Sequence, residues 1–162
     1  RTVLFMKIRK TAPFICAALI FSAVLYLLNP TLIINSIRLK SSAIAVNSDE
    51  AAVNAVVPFV WDCLYFFDPY TPKSEIEKAI GFKSRYIKET PSEGMMHIIF
   101  TKGNKIVCQV LAYPNKLGYG IYSDNFNGHG YAKIKSSDNP VFNIEYSCSI
   151  QKLTIKNPLK AL

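Results

Sequence analysis

Residues 61–82, WDCLYFFDPYTPKSEIEKAIGF, change hydrophobic period within a few positions, and that change decides the fold class. Upstream, residues 56–67 read VVPFVWDCLYFF, a run rich in Val and aromatic side chains that predicts a strand. Pro58 cannot donate to a ladder, so the strand proper is expected after it or at a sheet edge. Alternation puts Trp61, Cys63 and Tyr65 on one face, with Val60, Asp62, Leu64 and Phe66 on the other.

Asp68-Pro69-Tyr70 ends the strand, because Pro69 fixes its own φ and biases Asp68 away from helix. Thr71 then reads as an N-cap with Pro72 at the first helical position. From Pro72 to Ile80, Ile76, Ala79 and Ile80 form an i, i+3, i+4 stripe, with Lys73 and Glu77 paired on another side. Gly81 is the expected stop.

Strand signals dominate downstream. Residues 97–100 and 105–113 flank Gly103-Asn104, a hairpin signature. Residues 118–122 and 131–135 read as short strands around a glycine-rich loop at 125–130, and residues 84–89 as a further strand. Phe142, Ile144, Tyr146, Cys148 and Ile150 alternate with polar residues in one last strand. Leu153 and Ile155 continue it out of phase, which predicts a bulge near Gln151-Lys152. The expected domain, residues 56–162, is α+β, with one short helix on a mostly antiparallel sheet.

The N-terminus has a different character. Residues 12–28 carry no charge, and the apolar pattern runs on past Asn29-Pro30. About 20 apolar residues suffice for a helix to cross a bilayer core. Residues 12–37 are therefore expected to be a transmembrane signal-anchor, preceded by a cytoplasmic segment 1–11 and followed by a linker 38–55. Lys7, Arg9 and Lys10 would hold the near side in the cytoplasm. Met6 is the expected natural start. A cleaved signal peptide is the competing reading, but the small-x-small site Ala43-Ile44-Ala45 lies far beyond the apolar core, and that core exceeds a signal h-region. The expected location is the inner membrane, single-pass, with the C-terminal domain in the periplasm or otherwise outside the cytoplasmic membrane.

The formal charge is +8, yet residues 41–162 hold thirteen of the nineteen basic residues and all eleven acids, a balance of only +2. That is not the footprint of a nucleic-acid-binding surface. Cys63, Cys108 and Cys148 have no metal-ligand spacing; in an oxidising compartment two of the three could pair, and as small buried hydrophobes none need do so. No metal or cofactor is expected, since HExxH, P-loop and dinucleotide-binding patterns are all absent.

His97 and His129 are the only histidines. His129 lies in a loop where a general base could work with a carboxylate or thiol, which defines an envelope hydrolase as the alternative function. His97 opens a strand and reads as a surface or edge residue. The cysteines lie in apolar runs, which blunts thiol reactivity. Asp62 and Asp68 are about 20 Å apart at strand rise, too far for a catalytic carboxylate pair. No catalytic residue is assigned.

The segment Trp61-Asp62-Cys63-Leu64-Tyr65-Phe66-Phe67-Asp68-Pro69-Tyr70-Thr71, followed by a short helix and Gly81-Phe82, resembles small bacterial membrane-anchored envelope proteins of unassigned activity. The resemblance implies an envelope location and supplies no catalytic residues. The first expectation is thus a non-enzymatic module binding another envelope protein, of inhibitor or immunity type. Its contact patch is expected at Trp61, Asp62, Phe67, Asp68 and Tyr70.

Overall fold

A computed structural model of the chain describes residues 13–22, 24, 29–124, 130–147 and 149–155. The expected α+β class holds, but with two sheets where the sequence suggested one. Residues 13–22 and 24 are helical (α1). The rest runs α2 (Pro30–Ala45), β1 (Glu50–Ala52), α3 (Val53–Val56), β2 (Cys63–Phe67), α4 (Lys73–Ile80), β3 (Met96–Lys102) and β4 (Lys105–Ala112). Then follow α5 (Pro114–Leu117), β5 (Tyr119–Ser123), β6 (Tyr131–Lys135), a 3-10 turn (Ser136–Asp138), β7 (Val141–Ser147) and β8 (Ile150–Ile155).

One sheet has the order β4-β3-β2-β6 and is antiparallel throughout. The other has the order β1-β7-β8-β5, antiparallel except for the β5–β8 pair. Their facing sides enclose the main core, which includes Leu64, Phe66, Ile98, Phe100 and Val110 from the first sheet and Tyr119, Ile121, Phe142, Leu153 and Ile155 from the second. The opposite face of the first sheet is covered by α4, where Tyr65, Phe67, Ile76, Ile80, Ile87 and Ile99 form a second core. β2 is thus buried on both faces, which is why its sequence reads as an almost unbroken apolar run.

The helix after β2 begins one residue later than its sequence signals, at Lys73, with Pro72 as N-cap. Thr71 does not cap it: its hydroxyl donates to the Asp68 carbonyl at 2.7 Å. Glu89 takes that role from a distance, its carboxylate accepting the Lys73 N–H at 2.6 Å and placing negative charge at the helix's positive end. Gly81 ends the helix at φ 86° as expected.

The final strand of the sequence reading is two strands. Ser147 pairs with Ile150, so the chain reverses between them, with Ser149 at φ 64°. A two-residue turn changes the parity of inward positions, placing Phe142 and Ile144 opposite Ile155 and Leu153 on one face. The phase shift expected to mark a bulge is the hairpin itself. Residues 84–89 form no strand.

The N-terminal boundaries also move. Asn29 adopts a left-handed φ of 46° and Pro30 opens α2, so the apolar run is broken there. Residues 30–37, expected within a membrane span, instead start a domain helix whose Leu32, Asn35, Leu39 and Ala43 face the protein. β4 is an edge strand, and α2 covers that edge. Asn35 Nδ2 donates to the Val107 carbonyl at 2.8 Å, and Ser36 Oγ, whose single proton is shared between the Leu32 carbonyl at 2.8 Å and that of Gln109 at 3.1 Å, lies against the same edge. The Asn35 bond satisfies a strand carbonyl that would otherwise invite another chain. The expected boundary at 37/38 falls inside α2, and the expected linker 38–55 holds the rest of that helix, β1 and most of α3. Among the described residues no helix is long and apolar enough to cross a membrane.

Candidate functional site

Where β2 leaves its sheet, Asp68-Pro69-Tyr70-Thr71 makes a corner held by backbone bonds on three sides. The Asp68 N–H donates to the Gly130 carbonyl at 3.2 Å, the Thr71 N–H to Asp68 at 3.3 Å and the Tyr70 N–H to Thr90 at 3.3 Å. Tyr70 sits at φ 64° with its side chain 58% exposed. A left-handed backbone costs a non-glycine residue about 1–2 kcal/mol, and the three bonds hold it there.

Thr90 links this corner to a buried polar network. Its hydroxyl lies 2.9 Å from His97 Nδ1, and His97 Nε2 lies 3.2 Å from Gln109 Nε2. An amide nitrogen only donates, so Nε2 accepts, and this orientation assigns the imidazole proton to Nδ1, which donates to Thr90. The His97 ring packs 5.4 Å from that of Phe67 and is almost wholly buried. Burial pulls its pKa down to about 4, so the ring is neutral at pH 7. His97 is a core residue, not the surface or edge residue expected. Both ring nitrogens are engaged, which leaves none to take a substrate proton.

Beside the corner is a cleft of about 230 Å³ between the ends of the two sheets. Half-buried Pro69, Met95 and Pro114 and exposed Tyr122 surround deeper Phe66, Phe67, Met96 and Ile121. No residue lining it carries a charge when His97 is neutral. Such a cleft can take an apolar group and has no acid–base pair of its own. Its volume is below the ~300–1,000 Å³ of drug-sized ligand pockets and suits one or two side chains of a partner. Two methionines give the lining adaptable surface.

A second concavity, of about 510 Å³, opens beneath the α2–β1 connection between Val46 and Asp49. Gln151 lines it and is already committed, donating to the Val46 carbonyl at 2.6 Å.

The five residues expected to form a contact patch separate. Trp61 and Phe67 are 4% and 5% exposed and belong to the two cores, and of the two Phe67 also lines the depth of the cleft. Trp61 also leaves the face it was expected to share with Tyr65, because the regular strand starts only at Cys63. Asp62 lies at the other end of β2 from Asp68, where its carboxylate accepts the Gly103 N–H of the β3–β4 turn at 2.6 Å. Its backbone is bonded to Thr101 and Ser136. Asp62 is therefore a clamp on that turn. Only Asp68 and Tyr70 remain exposed beside the cleft.

The sequence marks Pro69 only as a turn residue, and the expected contact patch includes neither it nor Met95 and Tyr122. The usable signal was Gly94-Met95-Met96 at the start of a strand, but Tyr122 reaches the cleft only through the second sheet.

Cys63 and Cys108 are free thiols on opposite faces of one sheet and do not pair with each other. Burial raises the Cys108 thiol to about 11, so it stays protonated and unreactive at neutral pH. His129 and Cys148, and any pairing through Cys148, lie outside the described residues. Among the described residues no group of three or more His, Cys, Asp or Glu could hold a metal ion. Comparison with protein-family models, curated proteins and solved structures finds no match to this chain.

Proposed function

We propose that this protein is a membrane-anchored binding module whose domain, from Pro30 onward, takes an apolar side chain of an envelope partner into the Pro69–Met95–Tyr122 cleft. The observation that carries the binding reading is the uncharged cleft beside Tyr70, a large aromatic held exposed in an unfavourable backbone conformation. A partner of inhibitor or immunity type fits a surface that binds without performing chemistry.

The anchor reading is supported by α1. Every residue from 13 to 22 is exposed, including Phe14 at 78% and Phe21 at 66%, and none is charged. A helix apolar all round belongs in protein or in lipid. The anchor is redrawn as residues 12–28, with Lys7, Arg9 and Lys10 on the cytoplasmic side and the domain in the periplasm or otherwise beyond the inner membrane. The full chain should stay with membranes in alkaline carbonate and wash off once residues 12–28 are deleted. Release of the intact chain refutes the anchor.

Tyr70→Gly separates recognition from folding. Glycine removes the strain at φ 64°, so melting temperature should hold or rise. Partner capture by cross-linking in intact cells should fall by about tenfold or more, as for loss of an interfacial aromatic. Undiminished capture would place the contact elsewhere.

A further inference from the structure

The helix α2 has two apolar faces, and only one has a partner in the domain. Leu32, Leu39 and Ala43 pack against the cores, and Asn35 bonds the β4 edge. The opposite side carries Ile33 at 47% exposed, Ile34 at 47% and Ile37 at 61% in solvent, and ends at half-exposed Ile44, whose Cδ1 lies toward Gly118 at the rim of the 510 Å³ concavity. At about 100° per residue, Ile33, Ile37 and Ile44 fall within roughly 40° of one another, with Ile34 about 60° further round. Lys40 flanks this stripe on the Ile33 side and Arg38 on the Ile34 side. No acid occurs anywhere in PTLIINSIRLKSSAIA.

An apolar stripe edged by cations is the pattern of a helix lying in a membrane interface. The isoleucines would enter the headgroup–acyl boundary, while the long side chains of Arg38 and Lys40 would reach outward to lipid phosphates. Chain connectivity selects the bilayer as the occupant. Only Asn29 separates the end of the unbroken apolar run at Leu28 from the start of α2 at Pro30. If residues 12–28 cross the bilayer, α2 begins at its surface. At 1.5 Å per residue, Ile37 then lies only about 12 Å along the helix from Asn29, so the stripe cannot stand far from the lipid.

We propose that α2 is an interfacial helix that seats the domain flat on the membrane: its outer isoleucines dip into the lipid and Arg38 and Lys40 meet phospholipid phosphates, while its inner face closes the β4 edge. This rests on the anchor reading above. The domain is therefore held against the bilayer surface by one helix of its own fold, with no flexible stalk.

The test uses the full chain reconstituted in vesicles of phosphatidylcholine and phosphatidylglycerol at about 3:1, with anionic lipid supplying the phosphate charge. A photoreactive benzoylphenylalanine replaces Ile20, Ile37 or Lys135 in turn. Lys135 is the distant control, because β6 is the far edge of the sheet whose near edge α2 covers. Lipid adducts are expected at positions 20 and 37, with roughly fivefold or more at 37 than at 135, given burial of ~5–10 Å for an interfacial helix. Adducts at 20 but not at 37 overturn the interfacial helix and leave the anchor standing. Adducts at neither overturn both. A protein–protein adduct at 37 replacing the lipid adduct assigns the stripe to a second copy of the chain and overturns the proposal.

Discussion

Replacing Trp61 by alanine should cost about 3–5 kcal/mol of folding stability, the range for deleting a buried aromatic from a packed core. Trp61 is 4% exposed, and its ring meets Phe100 edge-on at 5.6 Å and 86°. Phe59 meets the same Phe100 ring at 5.3 Å and 88°. Phe100 is itself wholly buried on β3, so the two aromatics brace one central strand. Their geometry is the edge-to-face arrangement that adds to area burial. The loss is a large part of a domain's typical ~5–15 kcal/mol. Val60→Ala is the matched control. Val60 is 66% exposed one residue away, and its truncation should shift stability by about 0.5 kcal/mol or less. Urea unfolding followed by far-UV circular dichroism reads both, since the Trp61 variant has lost the chain's one tryptophan. If Trp61→Ala costs no more than Val60→Ala, the residue is not part of the core and the contact patch first read from the sequence regains its centre.

The second large effect is acid sensitivity at His97. Its pKa is about 4 in the folded protein, because burial disfavours the charged ring, against 6.5 for an unperturbed histidine. Between those values the unfolded chain binds a proton that the folded chain does not. Stability therefore rises with pH across that window. The contribution is complete above about pH 6.5 and is lost as pH falls to about 4, with a magnitude of about 3 kcal/mol. Protonation would also set an Nε2–H against the Gln109 amide nitrogen, now 3.2 Å away. The measurement compares unfolding free energies of the parent and His97→Gln from pH 7 to pH 4, which cancels the titration of shared carboxylates. The difference between the two proteins should shrink by about 3 kcal/mol over that range. Parallel curves would mean that His97 titrates as an exposed group.

Much of the local architecture is legible in the sequence. Thr71-Pro72 and Gly81 bracket a helix because proline and glycine restrict or free φ whatever surrounds them. Gly103-Asn104 reverses a hairpin for the same kind of reason. The change of phase between Ile150 and Leu153 was equally visible. A bulge and a two-residue turn produce the same shift of parity, and only the pairing of Ser147 with Ile150 separates the two. The candidate site was less legible. Asp68 and Tyr70 stood out for their turn chemistry and aromaticity. The apolar walls come from Met95, just before β3, and from Tyr122 in β5, a strand of the other sheet.

By itself, then, the sequence determined the α+β class, the corner after β2, the place of α4 to within one residue at its start and its stop at Gly81, the hairpin between β3 and β4, and the uncharged character of residues 12–28. These follow from backbone sterics and short-range periodicity, which each residue carries with it. Tertiary structure decided that there are two sheets, that Trp61 and Phe67 are core, that Asp62 clamps a turn and that residues 30–45 cover a strand edge. Those outcomes depend on which surfaces meet across long stretches of chain. An apolar or polar side chain has the same local preferences whether a sheet, a partner or a membrane lies against it.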